Sequence, residues 1–178
     1  RSRRAEVRST SPSRRSEYHL SIVLFRVDER MIHGQVVIGW GHHLRPDRYV
    51  VVDDHLAGTQ WEQDLYRLGA GEVEAIFTTA ERAREQLVEW RASPSRTILL
   101  TRDIGTMRRL AEGGLLSGDR VNLGGIHHGP GRDEVLTYLH LGNEDRDDLR
   151  AIAGEGVEVV ARDLPDAPRV SLANLLRV

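Results

Sequence analysis

From Leu20 onward, apolar runs alternate with stretches of helical periodicity. Leu20–Phe25 (LSIVLF) reads as a buried strand. His33–Leu44 reads as a helix, with Val36, Trp40 and Leu44 at i, i+4 and i+8 on one stripe. Gly39 and Gly41 weaken that helix by about 1 kcal/mol each relative to Ala, unless they serve close packing. Tyr49–Val52 is predicted as the second strand. Thr59-Gln60-Trp61-Glu62 then has the capping-box spacing and opens a helix to about Leu68. Val73–Phe77 is a third strand, and Thr78-Thr79-Ala80-Glu81 repeats the spacing ahead of a helix to about Trp90. Thr97–Leu100 is a fourth strand, followed by a short helix ending at Gly113-Gly114. Arg120–Leu123 is a fifth, leading into the loop Gly124–Gly131. Val135–Leu141 reads as one strand, Asp145–Ala153 as a helix, Val157–Val160 as the last strand and Ser171–Val178 as a short terminal helix.

Strands and helices alternating through short turns predict an α/β fold, a single-domain open, mainly parallel β-sheet with helices on both faces. Ligands of such sheets bind beyond the carboxyl ends of the strands. The loops 26–34, 53–58 and 122–131 all fall there, which points to one cleft.

Composition narrows the chemistry. The 178 residues suffice for one domain with a real core, and 39% are hydrophobic. No apolar run approaches the roughly 20 residues that span a bilayer. Cysteine is absent, so disulfides and thiolate chemistry are excluded. Lysine is absent too, and all 25 basic residues are arginine, which excludes P-loop phosphate binding and Schiff-base catalysis. Residues 1–15 hold six Arg against one Glu, a net of +5, which leaves −7 for residues 16–178 of the total −2. The body is therefore mildly acidic, which argues against nucleic acid as a partner. Residues 1–20 form an Arg/Ser-rich leader too polar to bury a core and are expected to be disordered, with the domain occupying 21–178. The leader lacks the apolar centre of a secretory signal. Its composition suits a transit peptide, and a plain upstream extension is the simpler reading.

One segment carries more chemistry than the rest: Arg26-Val27-Asp28-Glu29-Arg30-Met31-Ile32-His33-Gly34-Gln35-Val36. It sets a histidine at the predicted N-terminus of a helix. There the amides of Gly34, Gln35 and Val36 lack intrahelical partners and favour an anion. The same dipole disfavours imidazolium and keeps the ring nucleophilic. Arg30 offers a charge-assisted donor pair to phosphate oxygens. Gly34 leaves room for close approach, and Asp28 either holds Arg30 or orients the His33 ring. These features suit phosphoryl transfer through histidine. The plain alternative is a histidine that hydrogen-bonds a turn beside an ordinary Asp28–Arg30 ion pair.

The stretch R-V-D-E-R-M-I-H-G-Q-V resembles the active-site motif R-(I/V)-D-x-R-L-(I/V)-H-G-Q-V of the EIIB components of mannose/fructose/sorbose-family sugar phosphotransferase systems. Met31 in place of Leu is the one departure, an apolar and volume-conserving one. The resemblance runs from about Ser21 to the C-terminus and includes V-V-V-D-D at Val50–Asp54, I-L-L-T-R-D at Ile98–Asp103 and V-N-L-G-G at Val121–Gly125. It implies that His33 is phosphorylated transiently, Arg30 stabilises the phosphoryl group and Asp28 belongs to the loop. It implies a cytoplasmic phosphotransferase. Phosphate would pass from phosphoenolpyruvate through Enzyme I and HPr to EIIA, from phospho-EIIA to His33, and on to a sugar bound by the membrane subunits EIIC and EIID. Membrane association would then be peripheral, through those subunits. No metal or organic cofactor is required, because phosphohistidine is itself the intermediate. A regulatory phosphocarrier without sugar transfer and a non-catalytic small-molecule-binding α/β domain remain as alternatives, and self-association is left open.

Other features are weaker. Asp53-Asp54 resembles the acidic pair of response-regulator receivers, but those also need a lysine. His42-His43, His55 and His127-His128 have no metal-ligand spacing and read as surface histidines. The turn Asn122-Leu123-Gly124-Gly125 is a candidate phosphate-binding nest through Asn122, Gly124 and Gly125. His127 or His128 then edges the site, unless the loop is merely a surface one. Gly69-Ala70-Gly71 and Gly154-Glu155-Gly156 read as helix C-caps. Arg82, Arg84 and Arg91 read as a solvated face or a partner surface.

Overall fold

The β-branched and leucine-rich runs assemble as a twisted sheet in the computed structural model, which describes residues 21–177. In chain order the elements are β1 (Ile22–Val27), a π-helix (Gln35–Trp40) running into α1 (Gly41–Leu44), β2 (Arg48–Val52), α2 (Gln60–Ala70), β3 (Glu74–Thr78), α3 (Ala80–Ala92), β4 (Thr97–Thr101) and α4 (Ile104–Ala111). There follow β5 (Arg120–Leu123), β6 (Asp133–Leu136), β7 (Leu139–Leu141), α5 (Asn143–Gly154), β8 (Glu158–Ala161), β9 (Val170–Ser171) and α6 (Leu172–Leu175). The seven-stranded sheet has the order β3-β2-β4-β1-β5-β8-β9. Every pairing is parallel except β8–β9, where a two-residue antiparallel strand closes one edge. The leader expected to be disordered lies outside the described residues.

Both faces are buried, and successive strand residues serve them alternately. Phe25 and Val27 of β1, Val50 and Val52 of β2, and Val121 and Leu123 of β5 join Leu87, Trp90, Met107, Leu110, Leu149 and Ile152 of α3, α4 and α5. On the other face Tyr49, Val51, Ile98 and Leu100 meet Val36, Trp40, Ala70 and the loop residues Met31 and Ile32. That second cluster stops at β1 and takes nothing from β5 or β8. The connection after β1 crosses to one face and that after β4 to the other, so a crevice opens beyond the carboxyl end of β1. The histidine loop begins there.

Several expectations shift in detail. The first helix starts at Gln35, two residues after His33, and is a wide π-turn before it tightens. Its glycines do serve close packing: a Cβ on Gly39 would lie 2.7 Å from Leu164 Cδ2, and one on Gly41 2.8 Å from the Tyr49 hydroxyl. Helix α2 starts where the spacing placed it, without the capping box. The Thr59 hydroxyl donates to the His55 carbonyl, and Glu62 pairs with His55 at 3.1 Å. For α3 the cap is Thr79, whose side chain accepts from the Arg82 amide, one residue later than expected. Residues 135–141 are not one strand but part of an antiparallel hairpin, Asp133–Leu136 against Leu139–Leu141. The terminal helix shortens to four residues because Val170–Ser171 pair with β8.

Candidate functional site

Arg26 sits one residue before the end of β1, and its guanidinium is fully buried. It donates to Asp28 Oδ2 from Nε at 3.2 Å and from a terminal nitrogen at 2.8 Å. The other terminal nitrogen donates to the Arg162 carbonyl at 2.9 Å, and the guanidinium lies 5.6 Å from the Trp40 ring centroid. Gly125 N–H completes the shell of Oδ2 at 3.2 Å. Asp28 Oδ1 accepts from the Arg30 amide at 3.2 Å and lies 3.1 Å from His33 Nε2. The His33 contact is bent away from ideal hydrogen-bond alignment but within ion-pair range. Burial alone would raise the Asp28 pKa. The His33 contact, the Arg26 charge and the Gly125 amide outweigh it and hold the carboxyl at about 2. Burial pushes the Arg26 guanidinium below its ordinary value, against the opposing pull of Asp28.

The loop between β1 and the π-helix is tied at each step. Met31 N–H donates to the Asp28 carbonyl at 2.9 Å, and Glu29 N–H to the Gly125 carbonyl at 2.9 Å. Met31 has a left-handed backbone (φ 50°) while its side chain is fully buried. His33 follows with 14% of its side chain exposed and Nε2 closed to solvent. The Asp28 carboxylate facing Nε2 suits the tautomer that carries its hydrogen on Nε2. In that tautomer the unshared pair is on Nδ1.

Around the ring, Val37 N–H donates to the His33 carbonyl at 2.8 Å, whereas the amides of Gly34, Gln35 and Val36 find no acceptor among the described residues. The Arg30 side chain is exposed and donates to Gln35 Oε1 at 2.7 Å, and Gln35 Nε2 in turn donates to Asp163 at 3.2 Å. Arg30 is thereby aimed across the start of the helix. Asp28 holds Arg26 and faces His33, and touches Arg30 only at its backbone.

The turn after β5 stands differently from its expected part as an anion nest. Gly124 N–H already donates to the Val27 carbonyl at 2.8 Å and Gly125 N–H to Asp28, while Asn122 is buried with its amide nitrogen on the Arg162 carbonyl at 3.0 Å. These groups support the loop from behind, because their donors are spent on the chain. Gly124 is there for space: a Cβ would overlap the Arg26 guanidinium and lie 2.5 Å from Asp28 Oδ2. His127 is a clamp as well. Its Nδ1 lies 2.7 Å from Glu29 Oε2, and Glu29 Oε1 accepts from Arg132 at 2.6 Å. Asp53 and Asp54 cap backbone and pair with arginine: Asp53 with the Leu56 amide and Arg102, Asp54 with the Ala80 amide and Arg109. Among the described residues no group of three or more His, Asp or Glu side chains converges as a metal site.

Arg26, Glu29 and Arg132 carry no role in the sequence reading. A buried arginine is visible only once its partners are in place, and its one sequence signal is that it directly follows an apolar strand two residues before an aspartate.

No helix among the described residues is long and apolar enough to cross a membrane. The sequence pattern of the family described as PTS system sorbose subfamily IIB component matches residues 22–178. The N-acetylgalactosamine-specific phosphotransferase enzyme IIB component 1 of Escherichia coli is 34% identical over 149 residues, 82% of this chain and 92% of that protein. A mannose-specific EIIAB component of the same species is 24% identical over 159 residues, which are 89% of this chain and 49% of that longer protein. The crystal structure of manxB from Thermoanaerobacter tengcongensis superposes with a TM-score of 0.77 at 26% identity, covering 87% of this chain and 94% of that one. With the histidine loop at the carboxyl edge of a matching sheet, the chain belongs to the sorbose-subfamily IIB components of the sugar phosphotransferase system.

Proposed function

We propose that His33 is the phosphocarrier of this EIIB component, accepting a phosphoryl group on Nδ1 from phospho-EIIA and passing it to a sugar during uptake. The observation that supports this is the placement of His33 Nε2 3.1 Å from Asp28 Oδ1, which favours a tautomer with its unshared pair on Nδ1. In the transfer the donor's phosphorus–nitrogen bond breaks as the Nδ1–phosphorus bond forms. The Nε2 proton stays on the ring beside Asp28, which stabilises the cationic character the ring gains. Arg30 and the amides of Gly34, Gln35 and Val36 meet the phosphate oxygens. Gln35 aims Arg30, and Asp28 with Arg26 fixes the ring. Gly124, Gly125 and Asn122 act as supports. The onward step breaks the Nδ1–phosphorus bond as a sugar hydroxyl oxygen bonds to phosphorus; the electron pair returns to Nδ1 and the hydroxyl proton leaves to solvent.

The partners on this reading are a cognate phospho-EIIA and membrane EIIC and EIID subunits with their sugar. The chain works in the cytoplasm, held at the membrane through those subunits. A relative that carries an EIIA part in one chain with its EIIB part supports the donor assignment. The test is transfer of label from phosphoenolpyruvate through Enzyme I, HPr and a cognate EIIA to the purified chain, with His33→Ala beside it. Acid-labile label on the wild type and none on the variant is expected, with NMR assigning the phosphate to Nδ1. An active relay that labels neither chain, or both, would overturn the proposal.

A further inference from the structure

Away from the His33 loop, the second face of the sheet carries a cavity of about 390 Å³ where its apolar cluster stops, over β1, β5 and β8. No residue from 28 to 36 lines it. The volume falls within the roughly 300–1,000 Å³ typical of small-molecule sites. Leu24 and Trp40 give it an apolar wall, and Asn122, Arg162 and Arg169 give it polar groups.

Asn122 is the decisive residue. It is 2% exposed, its Nδ2 is fixed on the Arg162 carbonyl, and its Oδ1 is buried without a partner among the described residues. A buried orphan acceptor costs about 1–3 kcal/mol, which a ligand hydroxyl or N–H would recover. The charges around it are sorted. Asp119 pairs with Arg91 at 2.5 Å and Glu158 with Arg120 at 2.7 Å, so the acidic groups of the lining are neutralised. Arg162 donates through Nε to the Ala167 carbonyl and lies 5.8 Å from the Trp40 ring centroid, while Arg169 is exposed with no ion-pair partner among the described residues. An aromatic wall, an acceptor at the base and two guanidinium groups with donors to spare fit a ligand bearing both hydroxyls and a negative charge.

We propose that this cavity binds a small hydroxylated anion of the hexose-phosphate class, with a hydroxyl on Asn122 Oδ1, the ring beside Trp40 and the phosphate on Arg162 and Arg169. The ligand would reach the active loop through one atom. The Arg162 carbonyl accepts from both Asn122 Nδ2 and Arg26, and Arg26 holds Asp28 against His33. Occupancy would therefore be felt at the His33 ring. This effect gives the cavity meaning within the phosphocarrier reading, but binding itself is independent of that reading.

The test is ¹⁵N-resolved NMR of the full, unphosphorylated chain titrated separately with glucose 6-phosphate, glucose and inorganic phosphate. Glucose 6-phosphate is expected to shift the Trp40 indole and Asn122 side-chain resonances saturably, with a smaller shift of the His33 ring. Arg169→Gln is expected to weaken that binding at least tenfold, and Asn122→Leu likewise. Because Arg169 is exposed, its variant keeps the test valid if Asn122→Leu does not fold. No saturable shift with glucose 6-phosphate would overturn the site, as would shifts that survive Arg169→Gln. Equal binding of inorganic phosphate or of glucose alone would overturn the ligand class. Binding that leaves the His33 ring unmoved would overturn the link to the loop. No phosphoryl transfer is involved, so failure here is separable from failure of the phosphocarrier reading.

Discussion

Gly124→Ala is the sharpest single perturbation this site offers. The added methyl would overlap the Arg26 guanidinium and stand 2.5 Å from Asp28 Oδ2. Contact at ordinary van der Waals distance needs about 1 Å more, and neither partner can yield it cheaply. Arg26 is bonded to Asp28 and the Arg162 carbonyl and stacked near Trp40, and both side chains of the ion pair are 0% exposed. The methyl must separate the pair or displace the strand end. Breaking a buried pair costs about 3–5 kcal/mol. Urea denaturation monitored by tryptophan fluorescence should show a loss of that order, and label transfer to His33 should fall in the fraction that remains folded. Gly125→Ala is the internal control. Its Cβ would lie 3.5 Å from Asp28 Oδ1 and 3.6 Å from an Arg30 nitrogen, which is ordinary contact, so a change within about 1 kcal/mol is expected. If Gly124→Ala is as stable and as readily labelled as Gly125→Ala, the ion pair is not what requires glycine there, and the account of the loop fails.

Other consequences can be checked with modest effort. Asp28, held at about 2 against an ordinary 3.8, contributes about 2–3 kcal/mol at neutral pH. Because the folded value is the depressed one, that stability is complete above about pH 4 and drains away toward pH 2; the gap between wild type and Asp28→Asn should close over that window, and a gap independent of pH would contradict it. Arg30→Ala removes an exposed side chain, so denaturation should move by about 0.5 kcal/mol or less. Phosphoryl acceptance by the same variant should slow at least tenfold, and an unchanged rate would remove Arg30 from the site. Gly41→Ala meets the buried Tyr49 hydroxyl and should cost about 1–3 kcal/mol, whereas Gly39→Ala meets only the end of the half-buried Leu164 and should cost less. Equal thermal shifts for the two would argue against close packing as their role.

The parallel sheet was legible because its strands are continuous apolar runs between helical patterns, and so was the loop after β1 that carries His33. What failed to show depended on distant partners. Thr137-Tyr138 turn the hairpin after β6 without a glycine, proline or asparagine, so local chemistry gave no sign of it. Gly124 and Gly125 look alike in sequence, yet one makes room for a guanidinium and the other donates to a carboxylate. Arg26 reads as the first charged residue after a strand. Only the Arg162 carbonyl, 136 residues away, explains its burial. The Thr59 spacing located a helix start but not its cap, because His55 took the glutamate first.

Met31 adopts a backbone conformation that side-chain-bearing residues seldom choose, and its side chain is sunk in the core under the first two helices. The bend that presents His33 is therefore drawn from the folding free energy of the whole domain. This matters for the proposed phosphocarrier role. On that reading neither donor nor acceptor must spend binding energy to shape the loop, and both meet the ring already aimed.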